Sequence, residues 1–181
     1  EYIYDFKAVA KYLNKYIFLT YFPRLTPICL KGKLVTLYRE LSQGYLFIDN
    51  NEQFPFITNQ NSNTHTRNNN KVRNFQTNIK VIHQSWARSE DEILKKIKNW
   101  GHRDDFDTLQ YFEFWRSLNS SNYKEFKNIH PIVPNVWDEL DFIKSDSIED
   151  FIKKYALKKP QKLIPLPVSL FIKAIINKIT K

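Results

Sequence analysis

The chain has 181 residues, 42% hydrophobic and 15% aromatic, which suits one folded domain and excludes general disorder. Lys and Arg number 28 against 19 acids, a net charge of +9, which favours nucleic acid, acidic lipid or phosphate-bearing partners without choosing among them. Three glycines with no G-x-G-x-x-G or G-K-[ST] exclude a glycine-rich phosphate cradle, and one cysteine excludes an intrachain disulfide or a Cys-based zinc site.

The chain opens on Glu1 and contains no Met, so further residues are expected upstream. Asp5 is placed to cap a helix over Asp5 to Lys15, with Ala8, Val9, Tyr12 and Leu13 on one apolar face. Tyr16 to Phe22 is β-branched and aromatic without turn residues, which predicts a buried strand. Pro23 and Pro27 interrupt the chain, and Cys29 reads as a small buried side chain beside Ile28 and Leu30. Lys33 to Tyr38 alternates and predicts a strand, and Tyr45 to Ile48 a shorter one. Asp49 and Glu52 fall in a polar turn before Pro55.

Residues 59–74, NQNSNTHTRNNNKVRN, predict a polar surface loop, with His65 solvated within it. Ile79 to Ile82 predicts a strand that enters HQSWARSEDEILKKIKNWGH. Ser89 and Glu92 have capping-box spacing, Ile93, Leu94, Ile97 and Trp100 follow at helical spacing, and Gly101 is placed to end the helix. Asp105-Phe106-Asp107 has D-x-D form but leads into a helix with Leu109, Phe112, Trp115 and Leu118, so Asp107 reads as a cap. His130 and Trp137 lie near prolines and read as packing residues. Short helices are expected over Asn135 to Phe142 and Asp146 to Leu157. After Pro167 a basic amphipathic helix is expected, too short to span a bilayer; it fits either a membrane interface or the domain's own surface.

The stretch His83-Gln84-Ser85-Trp86, then Ile93, Lys96 and His102, resembles GT-A glycosyltransferases, most of all the bisecting N-acetylglucosaminyltransferases and their bacterial relatives. In that family a strand ends in G-W-H-x-S-W or a variant, and a helix follows with Ile and Lys at these offsets. Val81 and Ile82 stand where the family has Gly-Trp. Glu1-Tyr2-Ile3 is similar to the residues that follow the family's metal-binding D-x-D. The resemblance covers residues 1 to about 115 thinly, and about 20 residues with some specificity.

The resemblance implies an α/β fold: the C-terminal part of a GT-A domain with a mixed sheet over residues 1–142, followed by a helical tail over 143–181. It implies transfer of a hexosyl or N-acetylhexosaminyl group from a nucleotide-diphosphate sugar to a hydroxyl of a glycan or lipid-linked acceptor. Mn²⁺ or Mg²⁺ would neutralise the leaving diphosphate. His83 matches the strand-end metal ligand. Arg88 and Lys96 are candidates for the diphosphate, Trp86 for a wall against donor or acceptor, and His102 for a phosphate or acceptor hydroxyl. An inverting reaction needs a general base. Asp49 and Glu52 are candidates, as are Glu90, Asp91 or a residue upstream of Glu1. A bacterial surface-polysaccharide pathway would place the enzyme in the cytoplasm, peripheral on the inner face of the membrane through residues 168–181. Two rival readings are a basic nucleic-acid-binding module and a non-catalytic transferase-like scaffold. Basic residues spread along the chain without an RNP, zinc or helix-turn-helix pattern, so no nucleic acid is expected.

Overall fold

The computed structural model describes residues 2–17, 27–49, 51–59, 72–101, 104–160, 162–170, 172 and 176. Their elements run β1 (Tyr2–Tyr4), α1 (Phe6–Lys15), β2 (Ile28–Leu41), β3 (Gly44–Ile48), β4 (Gln53–Thr58) and β5 (Arg73–Gln84). Then follow α2 (Glu90–Lys98), α3 (Thr108–Ser117), a 3₁₀ turn (Tyr123–Glu125), β6 (Asp141–Lys144) and α4 (Ile148–Lys158). The strands form an open sheet of order β1-β5-β2-β3-β6, with β4 also paired to β2. The class is mixed α/β. By contact density the chain divides into two units. The first comprises Glu1–Ile3, Val35–Asn51 and Ile82–Pro160; the second comprises Tyr4–Leu34, Glu52–Val81 and Gln161–Lys181.

In the first unit the sheet is covered on both faces. Successive strand side chains point to opposite sides. Tyr45 and Phe47 therefore join Val35, Leu37, Phe151 and Tyr155, the last two from α4. Leu46 and Ile48 join Tyr38, Trp86, Phe112 and Trp115 on the other side, with Ile93 and Ile97 of α2. A strand buried on both faces reads as a continuous apolar run rather than an alternation. β3, GYLFI, is such a run, buried at every position. Its partner β2 carries an irregularity between Leu37 and Arg39, where Tyr38 is the extra residue opposite Phe47 and Leu46. The carbonyl of Tyr38 there accepts the indole N–H of Trp115 at 2.9 Å.

Gly44 opens β3 with φ +149°, and a Cβ there would lie 2.1 Å from the Ile143 carbonyl of β6. Only glycine allows β3 and β6 to pair at Gly44–Lys144.

In the second unit α1, β4, the start of β2 and the residues around Leu166 share one core. Tyr12 and Tyr16 of α1 lie against Ile28, Leu30, Ile79, Leu166 and Leu170. Two hydroxyls tie the C-terminal segment to this helix. Tyr12 donates to the Ile164 carbonyl at 3.0 Å, and Tyr16 accepts the Leu166 N–H at 3.1 Å. Cys29 is buried, and burial raises its thiol pKa.

Several elements match the sequence reading. Asp5 caps α1 by accepting the Ala8 N–H. Ser89 and Glu92 form the capping box, Asp107 caps α3, and both expected strands at Lys33–Tyr38 and Tyr45–Ile48 form. Other expectations are corrected. Tyr16 is the C-cap of α1 rather than the start of a strand; 18–22 lie outside the described residues. α2 ends at Lys98 with Asn99 as C-cap, before Gly101.

The polar stretch 59–74 contributes Arg73 and Asn74 to β5, while 60–71, with His65, are outside the described residues. β4 was hidden by Pro55, which sits beside a register irregularity where a strand tolerates a missing N–H. The helix expected over Asn135 to Phe142 is absent. Asn135 adopts φ +61°, and the N–H groups of Asn128 and Ile129 donate to the carbonyls of Asp138 and Trp137. That pairing takes the backbone groups a helix would use, and β6 begins at Asp141. In the tail, residues 168–170, 172 and 176 are helical, and Leu170 is buried.

Candidate functional site

β5 positions the stretch of interest. Its last residues are His83 and Gln84, and the chain turns through Ser85 and Trp86 into the capped helix α2. The turn is fixed by backbone bonds: the N–H groups of Trp86 and Ala87 both donate to the Leu37 carbonyl at 3.2 Å. His83 is 9% exposed, and its ring stacks on Tyr2 with centroids 4.4 Å apart and planes 12° from parallel. Residues 81 positions apart in sequence are therefore in ring contact.

The neighbouring candidates turn inward. Trp86 is 2% exposed and lies in the core with Trp100 and Tyr111 edge-on at 5.6 Å and 5.3 Å. It therefore presents no exposed wall to a sugar. Lys96 folds back over it, its ammonium 4.8 Å from the Trp86 ring centroid. The same ammonium donates to the Ser85 carbonyl at 2.6 Å and hydroxyl at 2.9 Å. The cation thus fastens α2 to the turn below it. Arg88 donates to the Gln84 carbonyl from Nε and Nη2 at 3.4 Å and 3.3 Å. His102 lies outside the described residues. Glu90 pairs with Arg116 at 3.4 Å, and Asp91 is exposed in the first turn of α2.

Asp49 follows β3 and is the most enclosed candidate carboxylate, its side chain 4% exposed. It accepts the Tyr155 hydroxyl at 2.8 Å and the Lys159 ammonium at 2.7 Å. Burial first, then the Asp49 carboxylate, pushes the Tyr155 phenol well above its ordinary pKa, so it stays a donor. Asp49 lines two clefts of the first unit. One, about 510 Å³, also has Tyr123, Lys124, Lys127, Glu139 and Lys159 on its walls. The other, about 460 Å³, has Asn51, Asn135, Asp138 and Glu139. The first cleft combines carboxylates with lysine ammonium groups, the second carboxylates with asparagine amides. Sequence reasoning named Asp49 but missed these partners, because Lys159 lies 110 residues away. Glu52 belongs to the second unit, where its carbonyl accepts the Leu34 N–H at 2.8 Å.

Buried polar groups also cluster around Tyr38. Its hydroxyl meets that of Tyr111 at 2.5 Å, and Tyr111 donates to the Ile129 carbonyl. Arg39 stacks on Trp115 with its guanidinium 4.8 Å from the ring and donates to the Trp115 carbonyl. Burial lowers the Arg39 pKa. These groups lock α3 to the sheet.

Among the described residues no three His, Cys, Asp or Glu side chains converge. His83 alone is too small a donor set for Mn²⁺ or Mg²⁺, which want several oxygen or imidazole ligands. The described residues therefore do not fit the implied metal by themselves.

Compared with protein-family models, curated proteins and solved structures, the chain matches none of them.

Proposed function

We propose that the chain is the acceptor-side part of a GT-A glycosyltransferase. It would move a hexosyl or N-acetylhexosaminyl group from a nucleotide-diphosphate sugar to a hydroxyl of a glycan or lipid-linked acceptor. The observation that carries this reading is the stack of Tyr2 on His83. In the resembled family, the segment that Glu1-Tyr2-Ile3 matches follows the metal-binding D-x-D, and a strand-end His completes the metal shell. Contact between the two matched segments is what that reading requires. The mixed α/β class and the strand–turn–capped helix running from His83 through Lys96 support it further.

On this reading His83 is the strand-end imidazole of the site, its ring plane held by the stack on Tyr2. Lys96 acts by position, holding α2 against the Ser85 turn, rather than as a mobile phosphate clamp. Asp49 is the candidate base: Tyr155 and Lys159 hold its carboxylate in place beside a polar cleft that suits a sugar. A divalent metal would need ligands beyond the described residues. A lipid-linked acceptor would keep the enzyme at the inner face of a membrane.

The test is binding of a panel of UDP- and GDP-sugars to the full-length protein, with and without Mn²⁺, beside His83→Ala. Metal-dependent binding that the substitution abolishes supports the reading. A folded protein that binds no donor overturns it in favour of a non-catalytic scaffold or a nucleic-acid module.

A further inference from the structure

The net charge of the chain is concentrated in one unit. The second unit carries fourteen basic and two acidic side chains, a net +12, whereas the first carries fourteen basic and seventeen acidic, a net −3. Within the second unit α1 bears Lys7, Lys11 and Lys15 at four-residue spacing, all exposed. Residues spaced by four share a helix face. Beside this cationic row, Phe6 is 76% exposed and Ile17 49% exposed. The C-terminal segment that Tyr12 and Tyr16 tie to α1 adds a second row: Val168, Ile172 and Ile176, also spaced by four, are 70%, 52% and 52% exposed. Leu166 and Leu170 of that segment face the core instead, at 4% and 2%. From Gln161 to Lys181 there are four lysines and no acid.

We infer that the second unit docks on an anionic lipid surface, with α1 and residues Val168, Ile172 and Ile176 lying in the headgroup region. An exposed β-branched row and a cationic row in one basic unit supply the two contacts an interfacial surface needs: aliphatic groups enter the acyl boundary while ammonium groups meet lipid phosphates. Nucleic acid would be drawn by the same +12 but has no use for the aliphatic stripe, since it is bound by cations and stacking aromatics. Lysines have the reach to keep their charge in the headgroups while their stems cover apolar surface. No helix among the described residues is long and apolar enough to cross a membrane. This inference is independent of the transferase reading: it uses no residue of the His83 stretch, and either can fail alone.

The test is flotation of the full chain with phosphatidylcholine vesicles, with and without phosphatidylglycerol as a minority component. The wild type, a Val168→Ser/Ile172→Ser/Ile176→Ser variant and a Lys7→Glu/Lys11→Glu/Lys15→Glu variant are compared. All six positions are exposed, and circular dichroism checks that both variants fold. Binding should require phosphatidylglycerol and fall roughly tenfold or more in each variant. Any of three results overturns the inference: no binding to the mixed vesicles, binding that the serine variant retains, or tighter binding to an oligonucleotide that the serine variant leaves unchanged. Concentration-dependent dimerisation abolished by the serine substitutions would assign the stripe to a second copy instead and equally overturn it.

Discussion

The two units differ in how they are held together and in what they offer to partners. The first is slightly acidic and layered, with helices covering both faces of its sheet and large side chains such as Trp86, Trp115, Phe47 and Phe151 almost wholly enclosed. The second has one core, fastened in part by two tyrosine hydroxyls, and carries all of the chain's excess positive charge. The composition-level charge of +9 is thus not a property of the candidate catalytic stretch. The excess basic charge and the His83 stretch belong to different units.

The largest effect that should separate the units is in the first. Trp115→Ala removes a buried indole, its bond to the Tyr38 carbonyl and the surface on which Arg39 stacks, and should cost about 3–5 kcal/mol by denaturant unfolding. Next, Tyr16→Phe in the second unit leaves the buried Leu166 N–H without its acceptor. It should cost about 1–3 kcal/mol and expose residues beyond Gln161 to proteolysis. Equal proteolysis in the two variants would erase the contrast.

Ser89→Ala should cost about 1 kcal/mol by removing half of the capping box. That box also predicts a pH effect. Hydrogen bonds from Ser89 hold the Glu92 carboxyl below its ordinary value. Its contribution is therefore complete above that ordinary value and lost as pH falls through the lowered folded one. The gap between the melting curves of wild type and Ser89→Ala should narrow in acid, leaving the cap on the Glu92 N–H. The smallest effect is ionic. Because like charges crowd the second unit, added NaCl should raise the melting temperature slightly by screening. A fall in melting temperature would mean that the lysines there are engaged in favourable pairs.

Local signals were legible where one residue type decides one feature. Asp5, Ser89 and Asp107 each declared a helix start by a side chain that accepts an N–H three residues on. Features that depend on distant partners were not legible. The β4 strand contains a proline, which sits beside an irregularity in its register with β2. The segment after Pro134 has helical composition, yet backbone pairing to Asn128 and Ile129 overrides it. At the candidate site the sequence pointed to His83, but the Tyr2 stack and the inward turn of Lys96 arise from the folding of β1 and α2 around that strand end. Trp86 shows the limit most clearly: an aromatic beside a strand end suits a sugar wall or a core, and only packing distinguishes them.

The most direct test of the account is paramagnetic broadening of ring resonances in the full-length protein as Mn²⁺ is added with and without a UDP-sugar. The proposed transferase reading predicts that both rings broaden together, because Tyr2 stacks on His83, and that the nucleotide sugar strengthens the effect. Broadening that spares His83 while appearing at unrelated carboxylates, or none with the donor present, would contradict the assignment of this strand end to a transferase site.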